Sequence, residues 1–202
     1  SVSYYLTMAG DAYVDQLKFN DNSKGKLQIG DRTLTLYDLV WGKNPNGLYS
    51  TVNSNLVLAG SPVIAVNLSS NVRNINNLTV YNTKGIKQFN YSSIKIYGTL
   101  TLIDSPVILA GSSGGPCTMW LYHKIVGSID EFQMGSSDSP SSLYIYGDDT
   151  GFQLPSNITE LLNLIIVNPN AAELNNNLHI TGFLYLSGGQ LINDVYQVSF
   201  GS

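Results

Sequence analysis

The segment Leu56-Val57-Leu58-Ala59-Gly60-Ser61-Pro62-Val63-Ile64 constrains the fold most, because a close copy follows as Leu100-Thr101-Leu102-Ile103-Asp104-Ser105-Pro106-Val107-Ile108. Proline cannot donate a hydrogen bond to a β-ladder, so each copy predicts a strand, a corner at Ser-Pro and a second strand. A solenoid needs at least three repeats that bury one another, and only two copies are recognised here. We therefore expect two similar strand-corner-strand units inside a larger β-domain.

Apolar and polar residues alternate along the whole chain, for example at Leu34/Leu36, Ile94/Ile96, Leu143/Ile145 and Leu178/Ile180. A period of two is typical of half-buried strands. Turn clusters such as Asn168-Pro169-Asn170 separate them at the spacing expected of an antiparallel sandwich. We predict an all-β fold, with residues 12–202 forming one β-sandwich domain behind a distinct segment of residues 1–11.

The composition predicts a surface built from neutral polar groups. Only 12% of the 202 residues are charged and the net charge is -4, whereas Asn, Ser and Tyr number 21, 23 and 13. Such a surface keeps its character in strong acid, where carboxylates are protonated, but it is equally that of a β-rich protein with polar turns. The absence of a basic cluster argues against a nucleic-acid partner or an anionic membrane surface. No apolar run reaches the ~20 residues of a membrane-spanning helix.

The stretch Gly-Ser-Ser-Gly-Gly-Pro-Cys at residues 111–117 resembles the nucleophile loop of chymotrypsin-like serine proteases. In those enzymes the histidine and aspartate precede the serine, but His123 and His179 both follow Ser113. Cys117 is the sole cysteine, so it forms no intrachain disulfide, and we expect it in the core. These observations favour a glycine-rich connection over an active site.

Paired carboxylates and metal ligands also lack a useful spacing. Asp148-Asp149 and Asp130-Glu131 are sequence neighbours, which point to opposite faces of a strand. The two histidines are far apart, and the Asp21–Gly25 turn lacks the closing glutamate of a calcium loop. We predict no catalytic residue, no metal site and no cofactor.

The first residues form the most informative segment. Val2, Tyr4, Leu6 and Met8 alternate on one face, and the possible pivot Gly10-Asp11 follows them. Such a segment pairs with a sheet edge in its own domain or fills a groove in a neighbouring copy. In the second case the contact is head-to-tail and does not close, so a filament results.

Four Asn-x-Ser/Thr acceptor sites are present, at Asn67, Asn77, Asn90 and Asn157. Chance alone accounts for a number of this size in a chain so rich in Asn, Ser and Thr. If the chain is secreted in an organism that glycosylates asparagine, we expect N-linked glycans at these positions.

The leading alternation, the charge-poor composition, the acceptor sites and the many strand segments together resemble the thread filament subunits of acid-loving archaea. The resemblance implies an immunoglobulin-like, pilin-like sandwich that lacks one strand and is completed by donor-strand complementation from a neighbour. The donor strand would correspond to Val2, Tyr4, Leu6 and Met8, and the glycan sites to Asn67, Asn77, Asn90 and Asn157. Residues 195–200 are a candidate wall of the acceptor groove.

On this resemblance the protein is an extracellular filament subunit, secreted through a signal peptide absent from this chain. Its partners would be identical subunits joined head to tail, with possible contacts to surfaces or other cells in adhesion or biofilm formation. Two other readings stay open: a β-sandwich capsid, turret or surface-layer protein of an archaeal virus or cell, and a secreted hydrolase that uses Ser113 or Asp148.

Overall fold

The computed structural model describes residues 4–19, 25–38, 40–41, 47–61, 66–68, 71–82, 84–88, 93–104, 107–109, 117–128, 132–134 and 140–201. Within these residues every strand pairs in parallel with its neighbours. The chain winds as a β-solenoid whose turns, called rungs here, each contribute three short strands to three faces. Nine such rungs lie in the described residues.

Successive rungs place one strand on each face in a fixed order. Face one holds β1 (Tyr4–Thr7), β4 (Gly25–Gln28), β7 (Leu48–Tyr49), β10 (Asn74–Ile75), β13 (Ser93–Ile96), β16 (Thr118–Leu121), β19 (Ser142–Ile145), β22 (Asn163–Ile166) and β25 (Leu184–Leu186). Face two holds β2 (Ala12–Val14), β5 (Thr33–Leu36), β8 (Asn55–Leu58), β11 (Asn77–Val80), β14 (Leu100–Leu102), β17 (Ile125–Gly127), β20 (Phe152–Gln153), β23 (Ala172–Glu173) and β26 (Leu191–Ile192). Face three holds β3 (Leu17–Lys18), β6 (Val40–Trp41), β9 (Val66–Leu68), β12 (Ile86–Gln88), β15 (Val107–Leu109), β18 (Phe132–Met134), β21 (Glu160–Leu161), β24 (Leu178–Ile180) and β27 (Val198–Phe200).

The expected antiparallel, immunoglobulin-like β-sandwich is therefore wrong, although the all-β class is right. Leu34 pairs with Leu56, Leu56 with Leu78, and Leu78 with Leu100, so the repeat returns every 22 residues. The two copies recognised in the sequence are two rungs apart, and further copies lie between and before them. The requirement of three mutually burying repeats is met.

A single core runs along the inside of the solenoid. Each strand of face two points alternate residues inward, and the columns starting at Leu34 and Leu36 are almost completely buried in rungs two to five. Positions between them carry Thr or Val, whose branched side chains suit extended backbone. At the corner after β8, Gly60 has φ +80° and a Cβ there would lie 2.2 Å from Tyr37 O. Only glycine fits that close approach.

Side chains at the start of face two bind one rung to the next. Asn77 Nδ2 donates to Asn55 Oδ1 at 2.8 Å, and Asn77 Oδ1 accepts the Thr99 backbone N–H at 2.9 Å. Asp11 Oδ1 likewise accepts the Thr33 N–H at 2.8 Å. These bonds satisfy corner groups that no strand ladder reaches, and so they hold the stacking register.

Candidate functional site

The leading segment lies in the first rung of its own chain. Strand β1 pairs in parallel with β4, from Tyr4 opposite Gly25 to Thr7 opposite Gln28, and the Met8 N–H donates to Gln28 O at 3.0 Å. Met8 packs against the core, whereas Val2 lies outside the described residues. This pairing removes the premise of an unpaired strand on which the donor-strand expectation depended.

The first rung nevertheless leaves one edge open. Strands β1, β2 and β3 each lie at the end of a sheet and have a ladder partner on one side only among the described residues. Leu6 occupies the core-facing column that continues through Leu27 to Leu48. Leu48 is fully buried, Leu27 is half-buried and Leu6 is 71% exposed. Among the described residues, therefore, nothing covers the core at this end.

The last rung is open in the same way. In the described part of the chain, strands β25, β26 and β27 are each the last strand of their sheet and have a ladder partner on one side only. Leu186 continues the column of Ile166, which is fully buried, yet Leu186 is 44% exposed. Val195 and Phe200, on the stretch expected to line an acceptor groove, are 83% and 59% exposed. The outermost rung therefore presents apolar side chains beside unpaired strand edges.

The three outer strand edges of the last rung lack the usual protection against pairing. Edge strands in soluble proteins are commonly guarded by lysine, proline or inward-pointing charges. Strands β25, β26 and β27 contain no charged residue and no proline, and Asp194 is the single charged residue between residues 182 and 201. This end is chemically suited to accept another set of parallel strands.

The four glycan acceptors differ in their surroundings. Asn157 lies exposed in a turn before β21. Asn77 has its amide in the ladder to Asn55, so both functions of its side chain are engaged. The backbone of Asn67 lies in β9, and Asn90 is outside the described residues. Their modification stays a prediction.

Among the described residues considered for catalysis, His123 and Asp149 come together, with Nδ1 2.5 Å from Oδ2, and the others lie apart. Ser113 and the pair Asp130-Glu131 lie outside the described residues. Cys117 is buried, and desolvation raises the pKa of its thiol to about 12. His123 lies in the sixth rung, and His179 lies in the eighth, where its Nδ1 is 2.9 Å from Ser199 Oγ. The described residues contain no group of three side chains able to hold a metal ion.

An aromatic ladder runs along the corner after face one. Tyr97, Tyr122 and Tyr146 follow β13, β16 and β19, with nearly parallel rings whose centroids are 4.6 and 5.1 Å apart. Burial, and then the neighbouring Tyr97 and Tyr146, raise the pKa of Tyr122 above its ordinary value. The sequence signal was an apolar residue followed by tyrosine at each strand end. It becomes visible only once the rungs are aligned.

Comparisons of the chain with protein-family models, curated proteins and solved structures find no match. The resemblance to archaeal thread filaments therefore receives no support from them. Among the described residues, no helix is long and apolar enough to cross a membrane. Any function must be argued from the solenoid itself.

Proposed function

We propose that the chain is a structural subunit that polymerises head to tail by continuing its solenoid from one copy to the next. The observation that carries the proposal is the pair of open rungs at opposite ends of the described fold. The last rung of one copy, β25 to β27, would pair with the first rung, β1 to β3, of another copy. This replaces the exchange of a donor strand between sandwiches, which the fold excludes.

Strand polarity and strand number support a second copy as the occupant of each end. All strands run in the same direction, and both terminal rungs offer three of them in the same order around the three faces. Stacking continues the parallel ladders and covers the exposed core columns at Leu6 and Leu186. Because the two ends differ, the contact is heterologous and propagates without closing. The expected product is a fibre one subunit wide.

A structural role outside the cell agrees with the composition. The long flanks of such a fibre would be covered by Asn, Ser, Thr and Tyr with few charges. Hydroxyl and amide groups bind water and other polar surfaces at any pH. We propose that the fibre lies on the cell exterior and serves contact with surfaces or other cells.

The test uses one blocking substitution at each end. We expect Leu6→Lys and Leu186→Lys each to give monomers, because stacking would bury an unpaired ammonium group in the extended core, at a cost of several kcal/mol. The unmodified chain should form fibres in negative-stain images and concentration-dependent oligomers in light scattering. Val52→Lys is the matched control, since Val52 is exposed at a corner of the third rung, away from both terminal rungs.

Mixing the two blocked variants tests the head-to-tail arrangement. Each variant retains one intact end, and the two intact ends are complementary. An equimolar mixture should therefore yield dimers and nothing larger. A wild-type chain that stays monomeric at all concentrations refutes the proposal, and closed particles instead of fibres would favour the capsid or surface-layer alternative.

A further inference from the structure

The regular stack is interrupted between the sixth and seventh rungs. Among the described residues, β17 pairs only with β14 and β20 pairs only with β23, so face two has no ladder across this gap. Face one remains continuous there through β16 and β19. Rung length on face two changes around the interruption, from 22 residues between Leu78 and Leu100 to 25 between Leu100 and Ile125 before it, and to 20 between Phe152 and Ala172 after it. A cleft of about 260 Å³ opens between β17 and β20.

The floor of this cleft contains one partly exposed apolar side chain. Ile125 pairs with Leu100 and so occupies a core-facing column. Leu100 is fully buried, but Ile125 is only half-buried because no strand covers it on the far side. Phe152, the first residue of β20, also lines the cleft, but its side chain is 4% exposed and packs in the core. Ile125 is thus an apolar side chain that a ligand can reach where the rungs separate.

The rim of the cleft is polar and carries opposite charges. Lys124, Asp149, Thr150 and Gln153 line it together with the floor. His123 Nδ1 lies 2.5 Å from Asp149 Oδ2, a polar contact that ties the sixth rung to the seventh. Asp149 Oδ2 is buried against this contact and is therefore not available to a ligand. The rim offers donors on Lys124, Thr150 and Gln153 and acceptors on Thr150 and Gln153.

We propose that this cleft binds one neutral sugar residue. Its ligand must combine an apolar face for Ile125 with several hydroxyl groups for the rim, which is the chemistry of a pyranose ring. The lining carries one lysine and one aspartate, and the neighbouring Asp148 is exposed, so the site has no net positive charge to attract phosphate or other anions. The volume lies just below the ~300 Å³ of the smallest drug-sized pockets, which limits the ligand to about one ring.

Saturation-transfer difference NMR with the full chain tests the proposal directly. The probes are glucose, mannose, galactose and N-acetylglucosamine at about 10 mM, tenfold above the ~1 mM dissociation constant expected of a single small ligand. We expect transfer to at least one sugar. A titration of that sugar should give a dissociation constant at least about tenfold higher in Lys124→Ala and in Gln153→Ala, a loss of about 1.4 kcal/mol for each polar contact.

Matched controls separate the cleft from the rest of the surface. Lys84→Ala and Gln16→Ala remove the same side-chain types from exposed positions on other rungs and should leave the transfer unchanged. All four changes lie on exposed residues, and thermal unfolding of each variant checks that it folds. The proposal is overturned if none of the sugars receives saturation, if both cleft variants bind as the wild type does, or if only a strand-forming peptide binds. These outcomes are independent of fibre formation.

Discussion

Deleting one whole rung is the sharpest test of the fold. Removing residues 55–76 takes out β8, β9 and β10, one strand from each face, and joins Ser54 to Asn77. Because Asn55 and Asn77 occupy the same position one rung apart, Leu78 then lies on Leu34 as Leu56 did before. The shortened chain should fold, since each rung contacts only its neighbours.

The size of the deleted rung sets the expected change in the denaturant m-value and in the length of the particle. The deletion removes 22 of 202 residues, and 22/202 is about 11%, so the denaturant m-value should fall by a similar fraction. Among the described residues, the buried side chains lost are Leu56, Leu58, Ala59, Leu68, Val72 and Ile75. No cavity remains, because the flanking rungs close on each other. The particle should shorten by about 4.8 Å, the spacing of adjacent strands.

Circular dichroism, urea unfolding and small-angle X-ray scattering measure these quantities. The matched control deletes half a rung, residues 55–65, which displaces every later strand onto the wrong face and should prevent folding. If the whole-rung deletion unfolds as fully as the half-rung deletion does, the 22-residue register is wrong.

Three further predictions concern single side chains. Leu78→Ala should lower the free energy of unfolding by about 3–5 kcal/mol in urea titrations, because Leu78 is 1% exposed in the core. A loss below about 1 kcal/mol would show that Leu78 does not lie in the core. In a glycosylating host, mass spectrometry should find sugar on Asn157 and not on Asn77, whose amide is bonded to Asn55; the reverse pattern contradicts the ladder. The raised pKa of the Cys117 thiol means that the folded state holds this proton more tightly than the unfolded state. Its contribution to stability is therefore complete below about pH 9 and declines as the pH rises toward 12. Native protein should resist thiol-specific reagents at pH 8, and fast labelling of folded protein would refute the burial.

The candidate sites could be predicted from the sequence only in part. Apolar alternation identified the segment containing β1, and the charge-poor composition is visible in any reading of the chain. The exposure of Leu6 and Leu186 depends on which rungs are outermost, a property of the stack. The contact between His123 and Asp149 joins residues 26 positions apart in sequence. It follows from two corners lying above each other where the ladder is interrupted.

The 22-residue repeat was present in the sequence but partly concealed. Leu34, Leu56, Leu78 and Leu100 occupy the same position in successive strands, yet a Ser-Pro pair follows only the second and fourth. The copy at Leu78 ends in Val80, and the copy at Leu34 leads into Tyr37-Asp38. A stacked column accepts any apolar side chain of suitable size, so the repeat constrains position more strongly than residue identity.

The sequence by itself determined that the protein is made of short strands with one buried and one polar face, because side chains of a strand alternate whatever its partner is. Strand direction was decided only by the tertiary structure. Parallel and antiparallel strands share the same period of two, and which of them forms depends on the path by which the chain returns. That path also determines which strand edges stay open and where the rungs separate to form the cleft.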